Sequence, residues 1–197
     1  TRDHHLIVYH DEWIHHDNTK VKLNSLTLDQ ISTIDVKNDF NELTFQKIPL
    51  LEEVFNIIPD NIILNIEIKS YGKNSANVQL PGKLLDMINK YSNDNQIIIS
   101  SFNPFIIKHV KKLNKSISTA LIWSKQSYYN YKIFLHYSKP DTFHVDINDV
   151  NQSMINWLHK KNLKIYAYTV NTQSDLDKAK KYNLNGIFTD NPKIKNV

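Results

Sequence analysis

The segment Asn65-Ile66-Glu67-Ile68-Lys69 sets a carboxylate and an ammonium two residues apart in an apolar run. Side chains alternate along a strand, so Glu67 and Lys69 share one face and Ile68 takes the other. Two opposite charges on the inner face of a buried strand are costly unless they are paired or given a ligand. One reading is a structural ion pair. The other is a carboxylate for a divalent cation beside an ammonium for a phosphate. The residues alone leave both open.

His10 ends the short extended run Leu6–Tyr9 and is followed by Asp11. A lone histidine is more often structural than catalytic. Its place at the end of an extended arm is what makes His10 a candidate for proton transfer, since imidazole as a class can take and give a proton near neutral pH. His15 and His16 lie in a polar stretch and read as solvated. Together with His4, His5 and His10 they lack the helical H-x-x-x-H spacing of zinc sites. The chain has no P-loop, no G-x-G-x-x-G and no G-x-S-x-G, and only three glycines, at 72, 82 and 186. A phosphate would therefore be held by side chains, a metal or helix N-termini. The absence of cysteine excludes disulfides, thiol nucleophiles and thiolate metal sites.

These residues need a scaffold, and the hydrophobic pattern supplies one. Strands are predicted at Ile62–Ile68, Gln96–Ser101, Ser118–Ile122, Thr142–Asp146, Lys164–Val170 and Gly186–Asp190. Helical patterns lie between them: one marked by Leu84, Leu85 and Ile88, one capped by Asn103 with Pro104 in first position, one around Tyr128–Tyr137, one opened by Asn151 and one by Thr172. Upstream, Thr27-x-x-Gln30 has the form of a capping box, Pro49 marks a helix start, and residues 11–25 and 35–47 read as irregular. Alternating strands and helices imply parallel βαβ units, open to both a doubly wound sheet and a β/α barrel. A complete barrel takes eight strands and about 250 residues. Here six strands and an opening arm are visible. In such folds functional groups gather at the carboxyl ends of strands. Those ends carry His10-Asp11, Glu67-x-Lys69, Ser100-Ser101-Phe102-Asn103, Asp146, Thr169-Val170-Asn171 and Thr189-Asp190.

The 197 residues suit one sizeable core, with 41% apolar and 22% charged residues. No apolar run approaches the roughly 18 residues of a membrane helix. The net charge of +4 and pI of about 9.0 permit nucleic-acid binding without arguing for it. The lysines fall mostly on helical patterns and read as solvated faces, in a mildly basic field that would favour an anionic substrate.

Seven pieces in order span nearly the whole chain: Val8-Tyr9-His10-Asp11, Leu26-Thr27-Leu28, Ile48–Val54, Asn65–Lys69, Ile98–Phe102, Tyr166–Asn171, and Gly186–Asp190 with Pro192. This set resembles the glycerophosphodiester phosphodiesterase family. The resemblance implies an α/β fold, a TIM-type (β/α)8 barrel that is here incomplete. It would hold strands 3–8 and the return arm of the strand-2 hairpin, in a single domain over 1–197 with a small insertion at about 11–60. Thr1-Arg2-Asp3-His4 resembles the family's T-x-D-G hairpin turn, with His4 in place of glycine.

The resemblance also assigns roles. His10 matches the second catalytic histidine, Glu67 a metal carboxylate, and Lys69 the catalytic lysine facing the substrate phosphate. Phe102 and Tyr168 fall in the substrate pocket, Tyr168 where the family usually has tryptophan. The implied cofactor is Ca2+ or Mg2+. The implied reaction is hydrolysis of a small-molecule glycerophosphodiester to glycerol 3-phosphate and an alcohol, with no nucleic acid, no stable membrane insertion, and the oligomeric state left open. The family's H-R-G and E-x-D motifs have no counterpart in these residues, so this chain alone is expected to be inactive or nearly so. The alternatives are a lysophospholipase-D-like phosphodiesterase and a catalytically inactive truncated remnant. The expected location is cytoplasmic, with a leader before Thr1 left open.

Overall fold

The computed structural model describes residues 1–16, 19–36, 44–59, 61–70, 79–91 and 97–194. They fall into two compact units, Thr1–Ile62 with Asp86–Ser92, and Ile63–Leu85 with Asn93–Val197.

The first unit contains an antiparallel hairpin of β1 (Trp13–His16) and β2 (Thr19–Lys22). This hairpin replaces the irregular stretch expected at 11–25. The alternation Trp13-Ile14-His15 puts Ile14 inward, where it joins Leu23, Leu26, Ile31, Ile34 and Ile48 in a small core. Helix α1 (Leu28–Ser32) begins at the expected capping box, with Thr27 and Gln30 satisfying each other's backbone N–H groups. Helix α2 (Leu51–Ile57) is capped by Glu53, whose Oε2 accepts from Leu50 N at 2.8 Å. Pro49 therefore lies just outside this helix rather than on its first turn. The expected arm Leu6–Tyr9 makes one antiparallel bridge, Ile7 to Leu50, instead of a regular strand. Residues 37–43 of the expected loop lie outside the described residues.

The second unit is a parallel sheet of six strands in sequential order: β3 (Leu64–Glu67), β4 (Ile97–Ser101), β5 (Ser118–Trp123), β6 (Thr142–Asp146), β7 (Lys164–Tyr168) and β8 (Gly186–Ile187). Helices α3 (Gln79–Tyr91, shared with the first unit), α4 (Pro104–Leu113), α5 (Tyr131–Ser138), α6 (Gln152–His159) and α7 (Gln173–Lys181) alternate with the strands. Sequential strand order with one helix per crossover is the arrangement of a β/α barrel wall, here six strands of it. Strands β3, β7 and β8 are shorter than expected, and Gln96 lies outside the described residues. Ile62 and Ile63, expected inside β3, precede it and are 46% and 63% exposed.

Helix starts follow local chemistry. Asn103 accepts from Phe105 N, Asn130 from Lys132 N, Asn151 from Met154 N and Thr172 from Asp175 N. In-register residues of parallel strands share a face, so the pairs Leu121↔Phe143, Phe143↔Ile165 and Ala167↔Ile187 define one side of the sheet. That side meets Ile107, Leu135, Met154, Leu158, Leu176 and Ala179 of the helices in the main core. The helix lysines are not all solvated. Lys111 pairs with Asp141 at 2.6 Å and Lys178 donates to Ile147 O at 2.7 Å.

Candidate active site

The face away from the helices carries the polar residues. The pairs Glu67↔Ser100, Ser100↔Ala120, Ala120↔Thr142, Ile122↔His144, His144↔Tyr166 and Asp146↔Tyr168 run around it. Glu67 and Lys69 are both on this face, as alternation requires. Lys69 Nζ lies 3.1 Å from Glu67 Oε1, with about a quarter of each side chain exposed. Both sequence readings began from this pair, and the structure forms it. The contact is an ion pair without hydrogen-bond geometry, since the buried Oε1 has no hydrogen-bond partner. Asn65 Oδ1 and Ser100 Oγ, on the same face, are likewise buried without one. Buried polar atoms normally have partners, so these three oxygens stand out on this face by their unused hydrogen-bonding capacity.

The end of β3 is clamped from β4. Ser101 Oγ donates to Ile68 O at 2.8 Å and accepts from Asn103 N, while Ile68 N donates to Ser100 O. Asn103 Nδ2 reaches Ser70 Oγ. These bonds hold the segment that presents Lys69.

Aromatic residues form the far side. Phe102 and Tyr168 meet edge to face at 6.1 Å between centroids, and Tyr168 donates to Trp123 O at 3.0 Å. Burial first, then the Asp146, Asp149 and Glu67 carboxylates, raise the Tyr168 phenol above its ordinary range, against a Ser124 hydrogen bond that lowers it. Tyr168 thus stays a neutral donor and feels Glu67 and Asp146 at once. Tyr129 OH sits between Phe102 O (2.8 Å) and Ile122 O (3.0 Å), fixing the backbone under Phe102.

Several residues here were not singled out from the sequence. Asp149 accepts from Lys125 N at 2.6 Å and pairs with Lys125 Nζ at 3.4 Å. His144 is 2% exposed, between Tyr166 and Phe188, and burial lowers its pKa to about 4. Alternation in Thr142-Phe143-His144-Val145-Asp146 was the available signal, since it puts His144 on the face of Asp146. By contrast the strand-end residues Asn171, Thr189 and Asp190 are spent on each other: Asn171 Nδ2 donates to Asp190 Oδ2, and Asp190 N donates to Asn171 Oδ1.

His10 belongs to the first unit, Glu67 and Lys69 to the second. The His10 side chain is 85% exposed, with Nδ1 at 2.7 Å from Asp11 Oδ1. His4 has φ 72°, the left-handed conformation that glycine adopts without cost. It therefore takes the backbone shape of the glycine it resembles in position. His15 is exposed in β1.

A hard cation fits the chemistry of the Glu67 carboxylate, an oxygen donor with unfilled capacity. Among the described residues no group of three or more His, Cys, Asp or Glu side chains comes together as a metal centre.

A six-stranded β/α barrel wall in sequential order defines an incomplete TIM barrel, with the Glu67–Lys69 pair at the carboxyl-terminal end of its first strand. The same fold occurs in a glycerophosphodiester phosphodiesterase from Parabacteroides distasonis, with TM-score 0.79, 19% identity, and coverage of 98% of this chain and 77% of that one. It occurs also in an Oleispira antarctica phosphodiesterase in complex with the product sn-glycerol-3-phosphate, with TM-score 0.79, 17% identity, and coverage of 94% and 76%. A glycerophosphodiester phosphodiesterase of Caldanaerobacter subterraneus subsp. tengcongensis is 30% identical, across 98% of this chain and 79% of that protein. Residues 1–194 match the glycerophosphoryl diester phosphodiesterase family, and the chain belongs to it. This is a family of phosphoric diester hydrolases. Among the described residues no helix is long and apolar enough to cross a membrane.

Proposed function

We propose that the protein hydrolyses glycerophosphodiesters to glycerol 3-phosphate and an alcohol with the help of a divalent cation, and that Glu67, Lys69, His10, Phe102 and Tyr168 serve this reaction. The observation that carries the reading is the Glu67–Lys69 pair with its unsatisfied carboxylate oxygen. A phosphodiester is anionic and repels nucleophiles. Ca2+ or Mg2+ held by Glu67 would supply positive charge at the phosphate. Lys69 offsets the charge that builds on the phosphoryl oxygens in the transition state. Phe102 and Tyr168 flank the substrate and exclude water. Water forms the new P–O bond, the bond to the alcohol breaks, and the proton lost by water balances the one gained by the departing alkoxide. His10 handles one of those two transfers.

The test uses the full product of the gene, with release of glycerol 3-phosphate from glycerophosphocholine as readout. Lys69→Ala is expected to lower kcat strongly with the fold intact. Glu67→Gln should weaken the metal dependence, because a neutral amide is a poorer ligand for a hard cation. His10→Ala should lower kcat by roughly 10²-fold or more at unchanged metal affinity. Residues 1–197 alone should turn over at background, since H-R-G and E-x-D are not among them. Near wild-type kcat in His10→Ala would remove its acid–base role. Brisk metal-dependent turnover by residues 1–197 would show that the site is misplaced.

A further inference from the structure

Positive charge is unevenly spread along this chain. Residues 95–140 contain seven lysines and no aspartate or glutamate, while the remaining 17 basic and 20 acidic residues leave the rest at −3. The net charge of +4 therefore belongs to one stretch, which comprises β4, α4, β5 and α5. The same stretch exposes large apolar side chains. Phe105 is 53% exposed, Ile133 64%, Tyr137 36% and Tyr128 fully.

These side chains form one surface. Phe105 lies 5.3 Å from Tyr137 and 6.0 Å from Phe134, ring to ring, and Phe134 lies 4.8 Å from Tyr129. Ile133 and Tyr137 are neighbours one turn apart on α5. Lys108 Nζ stands 3.8 Å from the Tyr137 ring centroid, and Lys132 Nζ lies 5.6 Å from the Trp157 ring centroid. Through Tyr129 and the Phe102 carbonyl the surface runs on to the aromatic side of the candidate site.

We infer that the exposed face of α4 and α5 docks on an anionic lipid surface, lying on the membrane rather than across it. Apolar and aromatic groups enter the interface while lysine stems lie along them with their ammonium groups at lipid phosphates. Lys111 and Lys125 are paired with Asp141 and Asp149 from outside the stretch, and the remaining lysines add attraction to the anionic surface. The inference does not depend on the hydrolytic reading.

The test is co-sedimentation of the purified full product of the gene with vesicles of mixed phosphatidylglycerol and phosphatidylcholine, and with vesicles of phosphatidylcholine alone. Partition to the anionic vesicles is expected, falling as salt rises. Lys108→Gln and Lys132→Gln should each lower it by roughly fivefold at low salt. Ile133→Ser should lower it by roughly tenfold, with unchanged circular dichroism, melting temperature and turnover of soluble glycerophosphocholine. That last readout separates the docking surface from the hydrolytic site. Equal partition to both vesicle types, binding to neither, or full binding by Ile133→Ser would overturn the inference. So would a concentration-dependent dimer, lost in Ile133→Ser, in place of vesicle binding.

Discussion

On the helix-facing side of the sheet, Leu121, Phe143, Val145, Ile165 and Ala167 have no exposed surface, whereas the other side of the same strands carries Asn65, Glu67, Ser100, Thr142, His144 and Asp146. Neighbours in sequence thus live under different rules. The helix side is mostly apolar, its buried Ser101 and Thr119 are hydrogen-bonded, and burial there removes hydrocarbon from water. The opposite side is polar even where it is sealed. Ser100 is fully buried with no hydrogen-bond partner for its hydroxyl, and His144 is held uncharged. One side supplies stability, and the other gives up part of it to its buried polar groups.

Substitution on the helix side should have the largest effect. Phe143→Ala deletes a fully buried ring from the main core, and a loss of about 3–5 kcal/mol is expected from the unfolding midpoint in urea. If the loss were under about 1 kcal/mol, the helix side would not be the stabilising one.

The buried histidine comes next. Folding lowers the His144 pKa to about 4, against roughly 6.5 when unfolded. Between those values the unfolded chain binds a proton that the folded chain refuses. Stability is therefore intact above about pH 6.5 and falls as pH drops toward 4, by about 3 kcal/mol in all. Below that both states are protonated and this contribution levels off. Unfolding free energy measured against pH should show the slope, and His144→Gln should flatten it. An unchanged slope in the variant would assign the pH dependence to other groups.

A smaller effect is expected where two strands approach closely. A Cβ on Gly186 would lie 2.5 Å from the Tyr166 ring. Gly186→Ala must displace that ring, at a cost of about 1–3 kcal/mol, visible as a lowered melting temperature. Gly82 lies inside α3 with nothing within 4 Å of such an atom, so Gly82→Ala should shift stability the other way, raising it by about 0.5–1 kcal/mol.

The finest test uses two adjacent serines, both fully buried. Ser101 faces the helices and donates to Ile68 O. Ser101→Ala leaves that carbonyl short of a donor and should cost about 1–3 kcal/mol. Ser100 faces the other way and its hydroxyl has no hydrogen-bond partner. Ser100→Ala should be neutral or stabilising, by up to about 1 kcal/mol. Equal losses at both positions would erase the distinction between the faces.

The sequence by itself determined the elements and the parity of their side chains. The order of six strands, the caps at Asn103, Asn151 and Thr172, and the shared face of Glu67 and Lys69 all follow from interactions over a few residues, which periodicity and capping chemistry record directly. Tertiary structure decided the rest. The hairpin of β1 and β2 escaped because its buried side chain Ile14 has meaning only beside Leu23 and Ile31. Tyr129 spans two backbone segments, Asp149 holds a loop 24 residues away, and Ser100 and Ser101 part ways by which layer they meet. Each of these depends on a partner distant in the chain. A residue's type fixes what it can bond to, but only the packed strands and helices determine which partner lies within reach.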